Sequence, residues 1–166
     1  MITKSHIVLF LSSLLLLLGC KGGDGGAKKA MNGLSELDLL PHGLPISVQA
    51  PTGSDVEFSD MGVMKDVTVK GEGNYSLQIT SGVATTYDVA KIKSELKTQV
   101  EQAPYFDAIL EEVDNGFIYR KKITEERINH DFRFVKIQGD QEYIFQTGLM
   151  GQFSEDEVKA MFKAVQ

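Results

Sequence analysis

The sequence predicts an α+β protein: an antiparallel sheet containing a four-strand meander, one central helix and one C-terminal helix. Three observations predict it. From Ile46 to Leu149, short runs alternate apolar and polar residues between Gly, Pro and Asn clusters, the period-2 signature of half-buried strands. The period changes to 3.6 at Val89, Ile92, Leu96, Val100 and Ala103, and again at Val158, Met161, Phe162 and Val165. No unit of 20–50 residues recurs, which excludes a solenoid or propeller.

Taken in order, the chain opens with Lys4 and His6, then an apolar run from Ile7 to Leu18 interrupted by Ser12 and Ser13. As a helix this run spans about 18 Å, short of the ~30 Å hydrocarbon core of a bilayer. A cationic start and a short apolar stretch form the pattern of a cleavable export signal. The run closes on Leu17-Leu18-Gly19-Cys20, which holds the sole cysteine. This stretch resembles the lipobox of bacterial lipoproteins. The resemblance implies that the dedicated signal peptidase recognises Leu17, Leu18 and Gly19 and removes residues 1–19. It also implies that Cys20 becomes the lipid attachment site, with a diacylglycerol on its thiol and an acylated amine. Burial stabilises by about 0.8 kcal/mol per methylene, so two or three acyl chains anchor durably where one does not. Localisation follows: a lipid-anchored protein of the bacterial cell envelope. By the same resemblance Lys21, standing where a retention signal carries Asp, favours the outer membrane, on its periplasmic face by default.

Lys21 to Gly33 carries five glycines and little to bury, which reads as a flexible tether. Its root-mean-square reach is roughly 20 Å. The Gly22–Gly26 stretch lacks the flanking strand, helix and Lys-Ser/Thr pair of a phosphate loop. The expected organisation is a signal peptide over 1–19, a lipidated cysteine and tether over 20–39, and one α+β domain over 40–166.

Leu34 to Leu40 reads as a helical or extended lead-in, broken by Pro41 to Pro45. Strands follow at Ile46–Gln49, Val56–Phe58, Asp66–Lys70 and Tyr75–Thr80, with a turn at Gly71–Asn74. Asp88 caps the central helix and Pro104 ends it after about 15 residues. The meander runs Phe106–Val113, Phe117–Ile123, Ile128–Ile137 and Glu142–Leu149. Asn115-Gly116 is expected to make its first hairpin turn because both residues tolerate positive φ. Ser154-Glu155-Asp156-Glu157 reads as a capping box opening the last helix.

This order of elements resembles the PsbP-like fold, a family that includes Ran-binding Mog proteins and bacterial DcrB-type lipoproteins. The resemblance is carried by Ile46 to Gly53, the central helix, the meander, and the closing strand leading to Ser154–Glu157. It covers about residues 40–166. It implies a mostly non-enzymatic protein that binds other proteins, and it carries over no functional residue.

Charge narrows the partners. The chain has 17 cationic and 23 acidic residues, net −6. Removing residues 1–19 takes away Lys4 and no carboxylate, leaving net −7. Such a domain repels phosphate backbones and anionic headgroups, so no nucleic acid is expected and membrane contact runs through the lipid.

No residue set reads as catalytic, cofactor-binding or metal-ligating. His42 sits in a Pro-Gly turn. His130 and Asp131 are strand neighbours whose side chains diverge, whereas a metal needs three or four converging ligands. Met61 and Met64 suit core filling better than copper(I) without His or thiolate support. Glu111-Glu112 and Glu125-Glu126 are adjacent carboxylates on solvated turns and strands rather than a facing pair. Arg120, Lys122 and Thr124 share a face as a small cationic strip, a candidate docking patch. The expected function is a non-enzymatic envelope module that binds another, unidentified envelope protein. The alternative is a small-ligand carrier with a pocket between helix and sheet lined by Phe106, Phe117, Phe132 and Phe145.

Overall fold

The computed structural model describes residues 33–166, so Leu17, Leu18, Gly19 and Cys20 lie outside the described residues. Strand alternation and the two helical stripes produce β1 (Leu34–Asp38), β2 (Ser47–Pro51), β3 (Asp55–Asp60), β4 (Met64–Gly71), β5 (Tyr75–Val83), α1 (Val89–Glu101), β6 (Phe106–Val113), β7 (Gly116–Lys122), β8 (Ile128–Gln138), β9 (Gln141–Thr147) and α2 (Glu155–Ala164). A 3-10 turn, Leu40–His42, joins β1 to β2. The fold is α+β. Seven strands form one antiparallel sheet in the order β3-β4-β5-β9-β8-β7-β6, and β1 pairs with β2 as a separate hairpin. The meander β6–β9 and the two helices stand where the sequence places them.

Alternation divides the sheet into two working faces. Val67, Leu77, Ile79, Ile118, Phe132 and Phe145 point to the inner face, where α2 and the β1–β2 hairpin cover them. Phe162 of α2 meets Phe132 and Phe134 edge-on, with ring centroids 5.5 and 5.9 Å apart. The Ser154–Glu157 capping box forms in full, fixing where α2 begins. On the outer face, α1 lays Leu96 and Val100 over Phe117, Tyr119 and Ile109 at the β6–β8 end. Among the described residues no helix packs on the outer face of β4 and β5. That face bears a polar ladder in which Gln146 donates to Gln78 and Gln78 donates to Asp66, both at 2.6 Å.

Four expectations change. The folded body starts at Leu34, because β1 pairs fully with β2 and Leu39 is completely buried. Residues 34–39 therefore belong to the body rather than to the tether. Helix α1 ends at Glu101 and leaves Ala103 exposed, since the residue before Pro104 is driven out of helical backbone. Strand β9 stops at Thr147, so Leu149 does not join its buried face and is 79% exposed. The β6–β7 turn falls where Asn115-Gly116 predicts it, for a different reason. Neither residue has positive φ. Gly116 is the first residue of β7, and a Cβ there would collide with the Arg133 carbonyl and with Phe134.

Candidate functional site

The most densely bonded polar group is Asp131, on the outer face of β8. Register sets it directly beside Tyr119 of β7. Tyr119 Oη donates to Oδ2 at 2.7 Å and Lys121 Nζ at 3.0 Å, with Arg133 Nη1 at 3.2 Å. On Oδ1 it accepts from its neighbour's amide, Phe132 N, at 2.8 Å, and from Thr147 N and Oγ1 at 3.1 and 2.6 Å. The residue is buried. Burial pushes its pKa up, but the Arg133 guanidinium and Lys121 ammonium, then the Thr147 and Tyr119 bonds, outweigh this and hold the carboxyl below its ordinary value. Burial first, and then the Asp131 charge, raise the Tyr119 hydroxyl far above its usual range. Lys121 and Arg133 also each lie 5.5 Å from the centroid of the Tyr119 ring. With every acceptor position occupied, Asp131 has no lone pair left to remove a proton. It is a clasp joining β7, β8 and the end of β9.

The other candidates are dispersed. His130 and Asp131 do diverge, and the His130 ring Nδ1 lies 3.2 Å from the Phe153 carbonyl. Asp131, however, is buried rather than solvated. His42 sits in the 3-10 turn. Among the described residues no three His, Cys, Asp or Glu side chains converge as metal ligands. Glu112 holds both Lys93 and Lys97 of α1. The cationic strip is neutralised, Arg120 by Asp107 and Lys122 by Glu125. Met61 and Met64 are not core residues: they flank the exposed tip of the β3–β4 hairpin. Phe132 and Phe145 lie on the inner face, Phe117 and Phe106 on the outer one, so the sheet itself separates them.

Two features remain available for binding. The first is the β3 edge of the large sheet. Six consecutive residues of β3 pair with β4 without a register shift, whereas the opposite edge, β6, carries two shifts against β7. Bulges of that kind blunt an edge, and β3 has none. The bond from Met61 N to Met64 O closes the hairpin and sets the phase of the ladder. Antiparallel alternation then turns the amides of Val56, Phe58 and Asp60 away from β4. Phe58 is half exposed, and Asp55 and Asp60 make the edge acidic, while Glu57 forms an exposed pair with Lys70 of β4 at 2.7 Å.

The second is a cleft of about 830 Å³ at the foot of the inner face, between Gly43 and Pro45 on one side and the Gly62–Met64 tip on the other. Its floor is one cross-strand row: Lys65 opposite Ser81, and Ser81 opposite Tyr143. Tyr143 Oη is buried and has no hydrogen-bond partner. Burial raises its pKa; Ser81 opposes that shift and the Asp140 charge adds to it.

Sequence reading missed both the clasp and the cleft. A lone Asp inside the run Ile128–Ile137 was the available signal for the first. The second depends on register between strands distant in sequence. Comparison with known protein families, curated proteins and solved structures finds no match for this chain.

Proposed function

We propose that this chain is a non-enzymatic, lipid-anchored protein of the bacterial cell envelope, held through Cys20, that docks another envelope protein. The docking mode is strand addition: the partner contributes an extended segment that pairs with β3. The observation that carries this is the regular, unbulged, acidic β3 edge, with outward amides at Val56, Phe58 and Asp60. Charge complementarity selects a partner strand that alternates apolar residues with Lys or Arg. Saturation of Asp131 by donors supports a non-catalytic reading, because the most buried carboxylate serves structure. The lipobox resemblance and the glycine-rich leader support the anchor. Among the described residues no helix is long and apolar enough to cross a membrane.

The test is a photocrosslinking amino acid placed singly at Glu57 and, as control, at Glu111 of β6, in intact cells. Adducts at residue 57 that map to one extended, basic segment of one protein are expected, and none at 111. Equal adducts at both positions, or an adduct within a helix of the partner, would refute strand addition.

A further inference from the structure

The foot-of-sheet cleft is independent of the β3 edge and makes its own chemical demand. Its floor row runs Lys65, Ser81, Tyr143; beyond the cleft the row continues to Lys136 of β8, opposite Tyr143, which lines a neighbouring groove with Glu36 and Asp38. Among the described residues neither lysine makes an ion pair. Lys65 Nζ spends one donor on the Gly43 carbonyl, at 2.9 Å, and keeps two. Two strands along the same row, beyond Ser81, stands the Tyr143 hydroxyl, buried and, among the described residues, without a partner. Buried hydroxyls are almost always bonded, and an orphan at the wall of a cleft calls for an acceptor that is missing. The free Lys65 donors and the Tyr143 hydroxyl, in one row, describe an anion site; Glu142 at the cleft and Asp140 near Tyr143 are the acidic groups beside it.

The rim has the opposite character. Val63 is 89% exposed and Val83 67%, and Met64 lies between them. Isolated exposed apolar residues need no explanation, but three facing one cleft form a patch. Met64, Gly82 and Glu142 form the adjacent row, one residue off Lys65, Ser81 and Tyr143, and all three line the cleft, so its wall carries one carboxylate as well as apolar groups. The volume falls within the range of about 300–1,000 Å³ usual for small-molecule sites.

We propose that this cleft binds an anionic amphiphile, its carboxylate or phosphate held by Lys65, Ser81 and Tyr143 and its acyl chain lying against Val63, Met64 and Val83. A diacylglycerol on Cys20 would carry no anionic head, so the ligand is a separate molecule rather than the chain's own anchor.

The test uses the full chain in phosphatidylcholine nanodiscs with three diazirine probes: palmitate, hexadecanol and a phosphatidylglycerol. Crosslinks are mapped by peptide mass spectrometry. Palmitate is expected to label the Val63–Met64 and Gly82–Val83 segments about tenfold more than hexadecanol, the size of one lost charge-assisted hydrogen bond. Lys65→Gln should bring palmitate down to the alcohol level. Tyr143→Phe, which keeps the packing, should lower it about threefold to tenfold. Labelling by phosphatidylglycerol at the same segments, with palmitate silent, would support the site and assign a lipid headgroup as its source. The proposal is overturned if hexadecanol labels as well as palmitate, if neither variant changes the labelling, or if label spreads equally to exposed Leu149 and Met150, which is bilayer partition only.

Discussion

Replacing Asp131 by Asn keeps the shape of the clasp and removes its charge. If the new carbonyl takes the place of Oδ1, the bonds from Phe132 N, Thr147 N and Thr147 Oγ1 survive. The amide nitrogen then faces the Lys121 ammonium and the Arg133 guanidinium, which the carboxylate held at 3.0 and 3.2 Å. Removing one partner of a buried ion pair costs about 3–5 kcal/mol. Here both cations keep some contact with water, with side chains 29% and 18% exposed, so the lower end applies, about 3 kcal/mol. That is a large share of the roughly 5–15 kcal/mol that holds a domain together. The melting temperature should fall by about 10 °C for a domain of this size. The assay is urea unfolding of wild type, Asp131→Asn and the exposed-pair control Glu57→Gln, with slopes compared to confirm two-state behaviour. The control should lie within about 1 kcal/mol of wild type. The effect also has a pH signature. The Asp131 carboxyl titrates lower in the folded chain than in the unfolded one, so the unfolded state binds its proton first. The clasp's contribution is therefore complete above the ordinary carboxyl pKa, about 4, and declines as pH falls below it. The Asn variant should lack that part of the acid slope. A loss under about 0.5 kcal/mol, the size of an ordinary surface change, would refute the clasp.

Tyr119 and Tyr75 titrate higher when folded than when unfolded, so their contribution is present below about pH 10 and is lost as pH rises further. Alkaline unfolding followed by tyrosinate absorbance should show those rings ionising only with the unfolding transition. Gly116→Ala should destabilise by about 2 kcal/mol, because the added methyl meets Arg133 and Phe134 backbone, and chemical denaturation reads it directly. Ser154→Ala removes the cap of α2 and should cost about 1 kcal/mol in the same assay. Labelled fatty acid should enter the wild-type chain and not Cys20→Ser; equal incorporation would overturn the anchor.

Much of the fold was legible because its signals are local. The stripe Val158, Met161, Phe162 and Val165 and the Ser154–Glu157 box fall within one helix, and both reappear as α2. The strands of the meander announce themselves by alternation and by turn residues. What stayed hidden depends on which strand lies beside which. Lys65, Ser81, Tyr143 and Lys136 are scattered over four strands, and only the register of β4, β5, β9 and β8 makes them one row. The same holds for Asp131, whose partners come from β7 and the end of β9. The β1 strand was half legible: Leu34 and Leu37 are apolar, but pairing with β2, rather than any local pattern, makes the segment extended. Asn115-Gly116 located its turn correctly while its cause lay across the sheet, in the closeness of β8.

The docking claim is tested most directly by a pair of substitutions at one edge residue. The Phe58 amide faces away from β4, so Phe58→Pro deletes a donor of the open edge while leaving the β3–β4 ladder intact. Phe58→Ala keeps that donor and removes only the ring. Co-purification of the crosslinked partner from solubilised envelopes should survive Phe58→Ala with a modest loss and disappear in Phe58→Pro. Partner retention by Phe58→Pro at the wild-type level would contradict docking by strand addition at β3.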